Sequence, residues 1–240
     1  MDFLISNAFT FFILAAIAFF VIRQIKRKKG EGGTSNTDGV HGDTDYQGTT
    51  GGIEWTLRSS VWLSGGRHRS WKRKSAWRTA AIHLPVGKFI LLMSTPVEFK
   101  KGSIERGGFM NNLINKASDL AIDLYVTGYF GSEYCALVNI GDDGVKLERE
   151  ALKDFLVLTN HEAVAQTYFD EATTSAIANW KKTNQGFSQE DKVDQFGLLF
   201  SPDGVILACQ ASMNSTEEVK LFSDFGAALV TKMKEMLAQG

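Results

Sequence analysis

The chain has 240 residues, and its 26 basic and 27 acidic side chains give a formal net charge of −1. When an apolar N-terminal run and a low-complexity stretch are set aside, about 190 residues remain, which suffices for one domain with a buried core and is short for two. The two cysteines, Cys135 and Cys209, lie far apart without metal-binding or redox-active spacing, which favours free thiols in a reducing compartment.

The small net charge conceals a strong segregation of charge along the chain. Residues 55–106 carry eleven basic and two acidic side chains, whereas residues 107–240 carry ten basic and nineteen acidic side chains. This difference indicates either two faces that meet inside the fold or a surface with a positive pole. The sequence alone does not distinguish these two interpretations.

The chain begins with an apolar run from Phe3 to Ile22, which has twenty residues without a charge. Twenty helical residues span about 30 Å, the thickness of the hydrocarbon core of a bilayer. Positive charges follow the run instead of preceding it, so it predicts a transmembrane helix over residues 3–22 and not a cleaved signal peptide. The charges form a basic juxtamembrane segment over residues 23–29, namely Arg23, Lys26, Arg27, Lys28 and Lys29.

By the positive-inside rule these charges stay in the cytoplasm, which predicts a single-pass membrane protein with its N-terminus outside and its C-terminal domain in the cytoplasm. Residues 30–52 are acidic and rich in Gly, Ser and Thr. They have too few apolar side chains to form a core, so they predict a flexible linker.

The remaining residues, 53–240, predict a single α+β domain. Its first elements are a hairpin of the strands Ile53–Leu63 and Trp71–Leu84. The continuous apolar run Phe89–Met93 predicts a central strand that is buried on both faces. Apolar residues at steps of three and four from Phe109 to Leu124 predict the first amphipathic helix.

The second half of the domain predicts further strands and two more helices. A capping box at Thr159 and Glu162 opens a helix that runs to Trp180, and another at Ser215 and Glu218 opens the last helix. Strands are predicted at Ala136–Ile140, Val145–Leu147, Phe155–Leu158, Phe196–Phe200 and Val205–Cys209. The predicted fold class is therefore α+β, with one N-terminal transmembrane helix and a mostly antiparallel sheet packed with about three amphipathic helices.

Motifs for catalysis, metals and cofactors are incomplete. His161 and Glu162 begin like a zinc-protease helix, but Ala165 stands where the second histidine is required. No phosphate-binding loop and no dinucleotide-binding glycine pattern occurs. We therefore predict no catalytic residue, no metal and no cofactor. The alternative is an enzyme or small-ligand receptor whose site is assembled in space from residues such as His83, His161, Asp154 and the basic strand.

The most distinctive stretch runs from Arg67 to Arg78, where six fixed positive charges surround two tryptophans. Such a density of charge favours an anionic partner, which is an acidic protein, an anionic lipid or a nucleic acid. In the alternative interpretation, strand alternation buries the tryptophans and leaves the basic side chains on a solvated face. The candidate binding residues are Arg67, Arg69, Trp71, Lys72, Arg73, Lys74, Trp77 and Arg78.

These observations predict a membrane-tethered cytosolic interaction or scaffold module, not an enzyme. The basic hairpin would dock on anionic lipid or on an acidic protein partner of unknown identity. Nucleic-acid binding is a second alternative. We expect it less than binding of anionic lipid, because the tether holds the domain close to the lipid phosphates of the membrane.

Overall fold

The computed structural model describes residues 42–64, 70–94, 122–138, 145–147, 150–183 and 192–239. These residues form one eight-stranded sheet in which every neighbouring pair of strands is antiparallel. The strands are β1 Gly42–Thr50, β2 Ile53–Ser64, β3 Ser70–Thr79, β4 Ile90–Ser94, β5 Val145–Leu147, β6 Phe155–Thr159, β7 Lys192–Ser201 and β8 Gly204–Gln210. Their order across the sheet is β1-β2-β3-β8-β7-β4-β6-β5.

The described part of the chain also contains four α-helices. They are α1, whose described residues are 122–129, α2 Glu162–Tyr168, α3 Glu171–Thr183 and α4 Thr216–Gln239. Two short 3₁₀ turns, Ser132–Tyr134 and Glu150–Leu152, connect elements on the surface. Helices therefore segregate to the faces of an antiparallel sheet, which is the α+β arrangement.

The sheet separates two hydrophobic cores. The larger core lies between the sheet and α2, α3 and α4, and it includes Trp77, Phe200 and Phe222. The smaller core lies on the opposite face, against α1 and the turn that follows it, and includes Val126 and Phe130. Burial of apolar side chains on both faces is the main force that holds these layers together.

The central strand β4 is buried on both faces, in the place where the apolar run of the sequence predicts such a strand. Ile90 and Leu92 are fully buried in the larger core. Leu91 and Met93 are fully buried in the smaller core. Successive side chains of a strand point to opposite faces, so a strand between two cores is mostly apolar. The one polar residue of β4, Ser94 at its end, is buried and accepts a hydrogen bond from the Phe196 amide at 3.3 Å.

The strands β1 and β2 are different, because within the described residues one of their faces carries exposed side chains. The same face of β3 is partly covered, since Ala76 is buried in the smaller core. In β2, Leu57 and Ser59 are buried on the side of α4, while Thr56 and Arg58 are exposed on the other side. Helix α4 contacts both β1 and β2. Because α4 covers one face of these strands, apolar and polar residues alternate in the sequence of this region.

The membrane-anchored architecture predicted from the sequence is contradicted. Within the described residues, no helix combines the length and the apolar character needed to cross a membrane. The longest, α4, has 24 residues, but Lys220 and Asp224 on its exposed side make it amphipathic. The structure thus supports a mostly antiparallel sheet domain with about four helices, and not the predicted single-pass topology with a cytoplasmic domain. The predicted span 3–22 and juxtamembrane segment 23–29 themselves lie outside the described residues.

Part of the predicted linker is an ordered strand. Residues 42–50 form β1 and pair with β2 over their whole length, from Gly42 opposite Val61 to Thr50 opposite Ile53. The polar composition misled the prediction because a strand with one exposed face needs few apolar residues of its own. Tyr46 is one residue of β1 that contacts the rest of the domain, since its hydroxyl donates to the carbonyl oxygen of Met213 at 3.3 Å. Residues 30–41 lie outside the described residues.

Two further elements differ from the prediction. The helix expected from Glu162 to Trp180 is divided between Tyr168 and Glu171, because the Asp170 side chain starts a new helix by accepting a hydrogen bond from the Thr173 amide at 2.8 Å. Residues 136–138 form a turn and not a strand. Most of the helix predicted between Phe109 and Leu124 lies outside the described residues.

Candidate functional site

A groove with a volume of about 700 Å³ lies at one end of the sheet. It is located where the β1–β2 turn, the end of β3 and the start of β8 come together. Ligand-binding clefts in proteins commonly have volumes of about 300–1,000 Å³. Its polar side chains come from five different segments and are Gln47, Thr49, Glu54, Thr56, Arg78, Tyr134 and Asp203.

Hydrogen bonds fix the backbone around this groove. The hydroxyl of Thr79 donates to the carbonyl oxygen of Glu54 at 2.6 Å and accepts from the amide of Ala81 at 3.2 Å. The hydroxyl of Ser201 donates to the Gly204 carbonyl oxygen at 3.0 Å and accepts from the Asp203 amide. The ends of the strands around the groove are thereby held in place by hydrogen bonds from side chains of the sheet.

Gly204 permits the close approach of the β7–β8 turn to the end of β3. Its φ of +125° is a conformation that favours glycine. A Cβ atom at this position would collide with the carbonyl oxygen of Thr79. Any larger residue would therefore push the turn away from the groove.

Arg78 is the basic side chain in the wall of the groove. Its guanidinium donates to the hydroxyl of Tyr134 and to the carbonyl oxygen of Phe130, each at 3.5 Å. Hydrogen bonds of this length are weak. Within the described part of the chain no carboxylate lies within ion-pair distance of Arg78, so the guanidinium keeps donors for a ligand.

The structure divides the basic stretch between the two faces of β3. Lys72, Lys74 and Arg78 lie on one face of β3. Ala76, which lies between Lys74 and Arg78 on that face, is buried in the smaller core. Trp77 points to the opposite face and is fully buried, with its ring against Gly226 of α4. The alternation that the sequence analysis gave as the second interpretation therefore holds for Trp77. Its indole is a core residue and cannot stack on a ligand.

Lys74 is in an unfavourable electrostatic environment. Partial burial lowers the pKa of its ammonium group, and the positive charge of Arg78 lowers the pKa further, while the carboxylate of Glu133 acts in the opposite direction. The ammonium group of Lys74 is thus partly shielded from water and lies in the field of a second cation. A bound anion would stabilise both cations.

The other candidate binding residues lie elsewhere. Arg73 is half-buried on the face of β3 that bears Trp77. Trp71 belongs to β3, and Arg67 and Arg69 lie outside the described residues. The basic juxtamembrane residues, Arg23, Lys26, Arg27, Lys28 and Lys29, also lie outside them.

Two of the residues considered for an assembled enzyme site, Asp154 and His161, lie at opposite ends of one strand. Asp154 precedes β6 and His161 follows it, so a strand separates them by roughly 20 Å at the usual rise per residue. His83 is held by its Nδ1 atom, which lies 2.8 Å from the carbonyl oxygen of Pro202. Among the described residues, no three His, Cys, Asp or Glu side chains are grouped as ligands for a metal ion.

Comparisons of the chain with protein-family models, with curated protein sequences and with solved structures found no match. The groove and the cations of β3 are therefore the features of this protein that can indicate its function.

Sequence reasoning missed the acidic and aromatic members of the groove. Glu54, Tyr134 and Asp203 are separated by about 70 to 80 residues in the sequence, and only the strand order brings them to one end of the sheet. Asp203 carried a signal as part of a Ser-Pro-Asp-Gly turn, but such a turn predicts a hairpin and not a site. Glu54 and Tyr134 carried none.

Proposed function

We propose that this domain is a non-catalytic binding module that recognises an extended acidic segment of a partner protein. The segment would contact Lys72 and Lys74 on the face of β3 opposite Trp77 and place one carboxylate in the groove beside Arg78. The observation that carries this proposal is the position of Arg78, which belongs both to the groove wall and to the row of basic side chains formed with Lys72 and Lys74.

The spacing of the three cations suits an extended ligand. Alternate residues on one face of a strand are separated by about 6.6 Å, so Lys72 and Lys74 lie one such step apart and Arg78 two steps further. An extended peptide has the same spacing between its alternate side chains. Acidic residues at alternate positions of a bound segment could therefore each meet one cation.

The unfavourable environment of the Lys74 ammonium group also supports an anionic ligand. Partial burial of Lys74 lowers its pKa in the free protein, and the positive charge of Arg78 lowers the pKa further. An acidic ligand would remove this penalty and would raise the pKa of Lys74 on binding. Electrostatic complementarity of this kind mainly contributes specificity and a high rate of association.

An acidic protein segment fits this surface better than the other anionic partners. Nucleic acids without sequence preference are bound by stacking of bases on aromatic side chains. Trp77 is buried, and Trp55 in the groove wall is half-buried, with its Nε1 donating to the hydroxyl of Thr50 at 3.0 Å. A planar lipid surface cannot enter a groove between strands and turns. A single peptide strand can enter it.

A second candidate function is a receptor for a small anionic molecule. The groove favours it, because Arg78, Tyr134, Glu54 and Asp203 provide donors and acceptors around one volume. A small ligand would use the groove alone and would not depend on Lys72. This difference separates the two candidates experimentally.

The test is binding of an oligoglutamate peptide of about ten residues by the full chain, measured by fluorescence anisotropy at two salt concentrations. Replacing Lys72, Lys74 and Arg78 together by Gln should weaken binding by about tenfold or more, because three charge contacts are lost. The matched control replaces the three lysines Lys153, Lys220 and Lys234, which lie outside β3 and are exposed, and should bind like the unmodified chain.

Equal loss in both triple variants would contradict the proposal, because binding would then depend on net charge alone. Tight binding of free glutamate, lost in Arg78→Gln but kept in Lys72→Gln, would favour the small-ligand receptor. A single-stranded oligonucleotide that binds more tightly than oligoglutamate would overturn the protein-partner proposal.

A further inference from the structure

The strand β1 lies at one edge of the sheet, and among the described residues no strand pairs with its outer side. It pairs with β2 over nine residues without a bulge. Natural edge strands prevent association with proline and with charged side chains, lysine above all. This strand contains no proline or lysine, and its charged side chains are Asp43 and Asp45. An edge of this length and regularity presents a row of backbone donors and acceptors to a further strand.

The β1–β2 turn determines which residues of β1 point outward. Gly51 and Gly52 have φ angles of 57° and 76°, as a two-residue type I′ turn requires. In such a hairpin the residues next to the turn, Thr50 and Ile53, exchange backbone hydrogen bonds, and every second residue of β1 repeats this pattern. The backbone groups of the intervening residues therefore point to the outer side, and these residues are Asp43, Asp45, Gln47 and Thr49.

We propose that the outer edge of β1 is a homodimer interface, in which two copies of the chain pair their β1 strands antiparallel around a two-fold axis at Tyr46. This register keeps all nine residues of β1 paired. It places Asp43 opposite Thr49 of the second copy and Asp45 opposite Gln47 of the second copy. An interface of this kind is self-complementary, as two-fold symmetry demands.

The distribution of carboxylates selects this register. A slip of two residues in one direction brings Asp45 opposite Asp45 of the second copy, and like charges directly opposite each other destabilise a pair of strands. A slip of two residues in the other direction loses two backbone pairs. The full-length register therefore combines the largest number of pairs with the absence of opposed carboxylates.

The sheet itself reduces the remaining negative charge of the edge. The guanidinium of Arg58 donates from Nε to Oδ1 of Asp45 at 2.9 Å and from Nη2 to Oδ2 at 3.2 Å. This two-point contact holds the Asp45 carboxylate toward β2. The exposed edge is thus less acidic than its sequence indicates, and a second acidic copy can approach it.

The experiment is sedimentation velocity of the full chain over a range of concentrations, with two pairs of substitutions of opposite charge. In Gln47→Asp with Thr49→Asp, each new carboxylate faces Asp45 or Asp43 of the second copy. The dimer dissociation constant should rise by about tenfold or more, since four like-charge pairs form in one dimer. In Gln47→Lys with Thr49→Lys, the same positions form opposite-charge pairs, and the constant should fall at low salt.

The control replaces Ala172 and Ser175 by Asp, which adds the same charge at exposed positions of α3, and its dimer constant should stay unchanged. Circular dichroism shows which variants are folded, and the lysine pair still decides the question if the aspartate pair is unfolded. A chain that stays monomeric at every concentration overturns the proposal. So does a dimer whose constant moves in the same direction in both pairs.

Discussion

The two faces of β3 have different roles although their residues alternate in the sequence. Ser75, Trp77 and Thr79 face α4 and are buried, whereas Lys72 and Arg78 face outward and are exposed. Because strand alternation separates neighbours in the sequence onto opposite faces, a stretch that reads as one basic and aromatic patch becomes two surfaces. One of them holds the fold together, and the other carries the cations of the proposed binding surface.

This comparison predicts that adjacent residues of β3 differ greatly in their contribution to stability. Trp77→Ala should lower the free energy of unfolding by about 3–5 kcal/mol, because it leaves a large cavity against α4. Arg78→Ala, one residue further, should change it by less than about 0.5 kcal/mol. Urea unfolding of both variants measures the difference, and similar losses would show that the two faces are not distinct.

The indole Nε1 of Trp77 has no hydrogen-bond partner in the described part of the chain. Trp77→Phe should therefore cost much less stability than Trp77→Ala, since it keeps most of the packing and removes an unsatisfied donor. Urea unfolding of Trp77→Phe beside Trp77→Ala measures this difference.

The second largest effect is expected from the buried hydroxyls next to Trp77. The hydroxyl of Ser75 donates to the carbonyl oxygen of Ala211 at 2.9 Å, and the amide of Met213 donates to Ser59 at 2.9 Å and to Ser75 at 3.2 Å. Replacing Ser59 and Ser75 together by Ala leaves the Met213 amide without an acceptor and should cost about 1–3 kcal/mol. Each single variant keeps one acceptor and should cost less in the same assay. Equal losses in the single and double variants would contradict this network.

A smaller effect is expected at the start of α3, which helps to cover the buried face. The Thr173 amide lowers the pKa of the Asp170 carboxyl by a hydrogen bond, and Lys232 at 3.0 Å lowers it further. Because the folded pKa is below the unfolded value of about 4, the carboxylate stabilises the fold above that value, and this contribution is lost as the pH falls through the folded pKa. Asp170→Ala should cost about 0.5–2 kcal/mol at neutral pH, as for other helix caps.

Unfolding free energies measured from pH 7 down to pH 3 test this assignment. The difference between the unmodified chain and Asp170→Asn should shrink as the pH falls, since Asn keeps a cap without a charge. A difference that stays constant with pH would show that the ionisation of Asp170 does not contribute.

The smallest effect is expected for Lys74, on the face of β3 opposite Trp77. Whether its substitution raises or lowers the stability distinguishes the two roles of this residue. Burial and the charge of Arg78 lower the pKa of Lys74, so at neutral pH the charged lysine opposes folding. Lys74→Gln should therefore leave the stability unchanged or raise it by up to about 1 kcal/mol. Stability that falls by more than this would assign Lys74 a structural role and would weaken its assignment to a binding surface. Thermal unfolding of Lys74→Gln, with Lys72→Gln as the control, measures this change in stability.

Much of the secondary structure was predictable because it depends on local patterns. The capping box at the start of α4 is confirmed in both directions, since the Glu218 amide donates to the Ser215 hydroxyl at 3.2 Å and the Ser215 amide donates to the Glu218 carboxylate at 3.0 Å. The β7–β8 hairpin with its Ser-Pro-Asp-Gly turn was likewise predictable. The site was not, because Glu54, Tyr134 and Asp203 meet only through the strand order.

The sequence by itself predicted that β2 and β3 form a hairpin and that β4 is buried on both faces, because the period of a strand and the apolar pattern depend on neighbouring residues alone. Tertiary structure decided which strands are neighbours, that polar residues 42–50 form the edge of the sheet, and that Arg78 reaches the groove. These features depend on contacts between residues far apart in the chain. Such contacts are chosen by packing of the whole sheet against its helices and leave no local pattern in the sequence.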